Sequence, residues 1–94
     1  MMKQSSSKEP RDIREKRLRM RSMRRGTKEM DIILEGFVAM SLSNFDNGTL
    51  DEYEALLDEN DQDLYQWISG QTDIPSQHTK VINLIKTYLH HKRG

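Results

Sequence analysis

At 94 residues and with no cysteine, the chain is one small domain, and disulfides, thiolate chemistry and cysteine-ligated zinc are excluded. Hydrophobic residues make up 34% and charged residues 32%, which leaves a thin core and little room for a deep, water-excluded catalytic cleft. The net charge of zero conceals opposed blocks: residues 1–28 carry eleven Lys and Arg against three Asp and Glu, residues 29–79 carry twelve acids and no Lys or Arg, and four cations follow.

The first residues, Met1-Met2-Lys3-Gln4-Ser5-Ser6-Ser7, lack the apolar region of a signal peptide, and no apolar run approaches the ~18 residues a membrane-spanning helix needs. Glu9, Asp12 and Glu15 speak against a mitochondrial presequence. Residues 1–8 are expected to form a disordered leader and residues 9–94 a helical domain. The bacterial cytoplasm is preferred over the mitochondrial matrix.

Pro10 suits the first turn of a helix, and residues 11–22 contain no breaker. The apolar residues of this first helix are few, and Ile13 and Met20, two turns apart, suggest one narrow seam. After Gly26 the pattern sharpens: Met30, Ile33, Leu34, Phe37 and Val38 fall on one helical face, with Thr27 a suitable cap and Glu29, Asp31 and Glu35 near the start. Residues 44–48 read as a turn, and Thr49 with Glu52 matches a capping box for a short helix presenting Leu50, Tyr53, Leu56 and Leu57. Asn60-Asp61 caps a fourth helix with Leu64, Trp67 and Ile68 inward and Gly70 at its stop. A fifth, from about Gln77, shows Val81, Leu84, Ile85, Tyr88 and Leu89, with His90, His91, Lys92 and Arg93 at its C-terminus. The expected fold is all-α: a compact single-domain bundle of four to five short helices.

The sign of the charge reverses at Arg25-Gly26-Thr27-Lys28-Glu29, and this stretch matches an R-G-x-x-E signature. With Arg24 before it, Asp31 after it, and Asp61-Gln62-Asp63-Leu64-Tyr65-Gln66-Trp67 about forty residues later, the chain resembles the succinate dehydrogenase flavinylation (assembly) factors. These are small five-helix proteins of bacteria and mitochondria, and the resemblance runs from about residue 13 to residue 88. A longer leader, and Met30 in place of the usual leucine, are departures.

The resemblance implies a chaperone-like, non-enzymatic assembly factor. Its client is the flavoprotein subunit of succinate dehydrogenase and, in some bacteria, the related fumarate reductase. It promotes covalent attachment of FAD to a client histidine, holds no cofactor stably itself, and is expected to be a monomer when free. The resemblance places Arg24, Arg25, Gly26, Lys28, Glu29 and Asp31 on the surface that meets the client.

Other readings of the same residues stand beside this one. Gly26 reads equally as a helix C-cap, and Arg25 with Glu29 as a surface ion pair. The basic segment, residues 11–28, suggests nucleic-acid binding or a regulatory role, although it lacks aromatic residues for base stacking, and the plainer alternative is packing beside the acidic body. Tyr65 and Trp67 invite flavin stacking, with Trp67 favoured as core. His78, His90 and His91 make no metal set and read as solvated, and Met20, Met23, Met30 and Met40 read as adaptable core or interface filler. Ser-His-Asp spacing, a phosphate loop and paired carboxylates in an apolar setting are all missing, so no catalytic residue is assigned.

Overall fold

The computed structural model describes residues 9–23 and 25–93, so the expectations for residues 1–8 and for Arg24 lie outside the described residues. Five α-helices follow one another: α1 (Arg11–Met23), α2 (Lys28–Ser41), α3 (Asn47–Leu56), α4 (Asp61–Ser69) and α5 (Thr79–Arg93). Short 3₁₀ turns, Leu42–Asn44 and Ser76–His78, follow α2 and precede α5. There is no strand among the described residues, and the bundle measures 37 × 24 × 23 Å.

The apolar stripe of α2 builds the centre. Met30, Leu34, Phe37 and Val38 are buried, and Phe37 meets the rings of Phe45, Tyr53 and Tyr88 at centroid distances of 5.8, 6.0 and 5.9 Å. Such tilted and edge-on pairs favour one arrangement of the core over others. Gly36, on the α2 face toward α5, leaves the room Tyr88 needs, because a Cβ there would overlap the Tyr88 hydroxyl. Around this centre α3 contributes Leu50, Tyr53 and Leu56, α4 contributes Leu64, Trp67 and Ile68, and α5 contributes Val81, Ile82 and Ile85. On α5 Ile82 is thus buried where Leu84 was expected, and Leu84 is exposed.

Helix ends follow their local chemistry. Thr27 caps α2 by accepting the Met30 N–H at 3.3 Å, and Asn60 caps α4 by accepting the Asp63 N–H at 2.8 Å. Gly70 closes α4 in the left-handed region, φ 82°, where a side chain would be strained. The capping box expected at Thr49 and Glu52 is displaced: Asp46 is the cap and accepts the Thr49 N–H at 2.8 Å, so α3 begins earlier.

Helix α1 departs furthest from expectation. Its buried residues are Leu18 and Ser22, while Ile13, Met20 and Met23 lie on the exposed face. Ser22 donates its hydroxyl hydrogen to the Leu18 carbonyl at 2.8 Å, so the 2.5 Å contact with Tyr53 has the phenol as donor. Burial pushes the Tyr53 phenol up to about 12. Of the other methionines, Met30 is core and Met40 is exposed.

Candidate functional site

Four residues connect α1 to α2, and this turn carries the R-G-x-x-E signature. Its shape is set by two aspartates. Asp31, on the first turn of α2, accepts the Arg25 backbone N–H at 2.6 Å. Asp61, at the start of α4, accepts Arg25 Nε at 2.7 Å through one oxygen and the Thr27 N–H at 2.9 Å through the other. The Arg25 guanidinium then donates to the Leu57 and Glu59 carbonyls at 2.8 and 2.7 Å. One planar cation thus satisfies a carboxylate and two backbone carbonyls of the loop between α3 and α4, a fan of donors that a lysine ammonium cannot reproduce. The Arg25 and Asp61 side chains are only 11% and 9% exposed, so this pair is close to buried.

Of the six residues assigned from the resemblance, the structure sorts the five it describes into two groups. Arg25 and Asp31 are half-buried and hold the turn from behind. Gly26, Lys28 and Glu29 are exposed at its front. Arg25 forks to groups within its own chain, and its ionic partner is Asp61, not Glu29. Gly26 does not act as a left-handed cap, since Gly70 alone has positive φ among the described residues. A Cβ at Gly26 would sit 3.4 Å from the Asp61 carboxylate, an ordinary contact, so folding does not demand glycine there. Sequence reasoning missed Asp61 as part of the site. Its signal was the aspartate opening the Asp61-Gln62-Asp63-Leu64-Tyr65-Gln66-Trp67 block: the two recurrent blocks are the two halves of one latch.

The same geometry extends along α1. Arg14 pairs with Asp51 and Glu54 at 2.6 and 2.9 Å, Arg17 with Glu54 at 2.8 Å and Glu9 at 2.9 Å, and Arg21 with Asp58 at 2.9 Å. With Arg25–Asp61 these form a ladder in which both sets of residue numbers rise together, so α1 runs alongside α3 in the same direction. Arg11 continues it by donating to the Phe45 carbonyl at 2.5 Å. The ladder explains why Leu18 and Ser22 face inward and Ile13 and Met20 do not. Arg17 and then Arg14 hold the Glu54 carboxyl below the usual carboxylate range against the opposing effect of its burial. The charge split is largely intramolecular, and the nucleic-acid reading loses the free arginines on which it rested.

A small cavity at the turn adjoins a larger one beyond it. The smaller, of about 210 Å³, lies between Thr27, Glu29, Asp61, Gln62 and Tyr65. The larger, of about 820 Å³, lies between Ile33, Tyr65, Ile68, Lys86, Leu89 and His90. Tyr65 is exposed and lines both. Trp67 is core, with its ring 5.4 Å from that of His78. His78 corrects the expectation of three solvated histidines: it is buried, and its Nε2 lies 2.8 Å from the Glu59 carboxylate. His90 and His91 are exposed. Among the described residues no three His, Asp or Glu side chains are grouped to hold a metal ion, and no helix is long and apolar enough to cross a membrane.

A family model described as the flavinator of succinate dehydrogenase matches residues 16–89. The chain is 37% identical over 90 residues to the mitochondrial succinate dehydrogenase assembly factor 2 of Schizosaccharomyces japonicus, covering 94% of this chain and 63% of the relative. The protein of the same name from Debaryomyces hansenii is 35% identical over 80 residues, covering 80% and 56%. Assembly factor 2-B of Drosophila ananassae, also named mitochondrial, is 34% identical over 84 residues, covering 86% and 52%. The chain therefore spans between 52% and 63% of the length of these three relatives. Their names overturn the expectation of a bacterial cytoplasmic protein and point to mitochondria. That expectation leaned on Glu9, Asp12 and Glu15, and the structure puts all three in the folded domain. Glu9 pairs with Arg17, Glu15 pairs with Arg11, and Asp12 accepts the Ile13 N–H, so these acids carry no information about targeting. Because the matched span contains the turn, most of the ladder and the Asp61 latch, the chain belongs to the family of flavinators of succinate dehydrogenase.

Proposed function

We propose that this protein is a non-enzymatic assembly factor that binds the flavoprotein subunit of succinate dehydrogenase and promotes covalent attachment of FAD to it. The observation that carries the reading is the front edge of the turn. Gly26, Lys28 and Glu29 are exposed, yet the backbone beneath them is pinned by Asp31, Asp61 and the Arg25 fan. An edge fixed before binding loses little conformational freedom when a partner docks, so more of its contact energy appears as affinity. Gly26 adds no side chain, which lets partner backbone approach closely.

Covalent flavinylation needs the flavin methyl carbon held against a client histidine while electrons move into the ring. That chemistry belongs to cofactor and client. The helper contributes by binding the reactive arrangement of the client better than its alternatives, which is a positioning effect. FAD stays with the client. The test is in-gel flavin fluorescence of denatured flavoprotein from cells with and without this gene. Fluorescence falls without it and returns with the wild-type chain but not with Gly26→Arg, whose helix content is checked by far-UV circular dichroism. Equal covalent flavin in both strains would defeat the reading.

A further inference from the structure

We propose that the groove formed by α2, α4 and α5 beside the turn seats a second segment of the same flavoprotein, one that offers a cation to Glu29, an apolar side chain to Tyr65 and a carboxylate to Lys86. The inference rests on the client assignment above. Three helices each turn one face to this groove. Glu29 and Ile33 are one turn apart on α2, Tyr65 and Ile68 are i, i+3 on α4, and Lys86, Leu89 and His90 are i, i+3, i+4 on α5. The two cavities share Tyr65 and so adjoin at its ring.

Its charges are not balanced from within. Asp61, at the turn end, is neutralised by Arg25, but Glu29 has no cationic partner among the described residues. On α5 Lys86 has no carboxylate partner among the described residues, and His90 lies one helical turn from it. Ile33 and Leu89, packed only in part against the core, with the exposed ring of Tyr65, form the apolar middle. The groove thus offers a carboxylate on α2 and an ammonium on α5, and a segment of matching charge is favoured there over one of the opposite pattern. A tyrosine at the centre of such a surface supplies a large, rigid contact with a polar tip.

The test measures association and dissociation rates with purified flavoprotein for the wild type, Gly26→Arg, Tyr65→Ala and Lys86→Glu, with melting curves to confirm folding. Tyr65→Ala is expected to weaken binding about tenfold, mainly by faster dissociation. Lys86→Glu is expected to slow association and alter its salt dependence. If Gly26→Arg abolishes binding while Tyr65→Ala and Lys86→Glu bind like wild type, the groove is overturned and the client assignment stands. If the wild type does not bind flavoprotein, both fall. Concentration-dependent self-association that Tyr65→Ala removes would give the groove to a second copy and overturn the inference.

Discussion

Replacing Asp61 with alanine removes the Arg25 Nε and Thr27 N–H contacts and leaves a guanidinium that is 11% exposed without its counter-ion. Stripping one partner from a buried pair costs about 3–5 kcal/mol. Arg25 keeps the Leu57 and Glu59 carbonyls, and the Thr27 N–H can turn to water, so the lower end applies, about 3 kcal/mol. A domain of this size holds about 5–14 kcal/mol in total, so the variant folds but with much of its margin gone. At about 4–8 °C per kcal/mol the melting temperature falls by roughly 12–24 °C. Thermal unfolding followed by circular dichroism at 222 nm measures this, and a double-mutant cycle with Arg25→Ala isolates the pair. Glu29→Ala is the control: it removes an exposed side chain, so stability should change by less than about 0.5 kcal/mol while flavinylation fails. An Asp61→Ala melt within about 2 °C of wild type would refute the latch, since the packing energies above could not then apply.

Two further substitutions probe the core. Gly36→Ala places a methyl group on the Tyr88 hydroxyl, and its overpacking of about 1–3 kcal/mol is offset by about 1 kcal/mol of helix propensity, so a net loss of up to about 2 kcal/mol is read as a lower denaturation midpoint with unchanged slope in urea. The raised Tyr53 phenol stabilises the fold fully below the unfolded value of 10.0, and that contribution is lost as pH rises through about 12. It amounts to about 2–3 kcal/mol, so alkaline unfolding should steepen between those limits, and Tyr53→Phe should flatten that dependence while losing about 1 kcal/mol at neutral pH.

Helix α2 was legible because its stripe of Met30, Leu34, Phe37 and Val38 is a local periodic signal, and Thr27, Asn60 and Gly70 were legible because caps act within a few residues. Helix α1 was not. With few apolar residues among many arginines, its inward face is chosen by carboxylates some 37 residues away, on and just after α3. The signature itself was visible, but its division into a hidden half and a presented half was not, since the partners of Arg25 lie 32, 34 and 36 residues downstream. His78 was misread for a similar reason. Nothing adjacent in sequence shows that Trp67 and Glu59 will enclose it.

The arginine ladder has a consequence for the conditions under which the protein works. Helix α1 contributes one large apolar residue, Leu18, and the Ser22–Tyr53 hydrogen bond to the interior, and most of its other attachments are ionic, several at the rim where Asp51 and Asp58 are 70% and 74% exposed. At 0.15 M salt the screening length is about 8 Å, and it shortens further as salt rises, so these attachments weaken while the aromatic centre does not. The first helix is then the first part to loosen, and the turn strung between it and its neighbour slackens with it. Docking at that edge therefore acquires a sensitivity to ionic strength even where no charge crosses to the visitor.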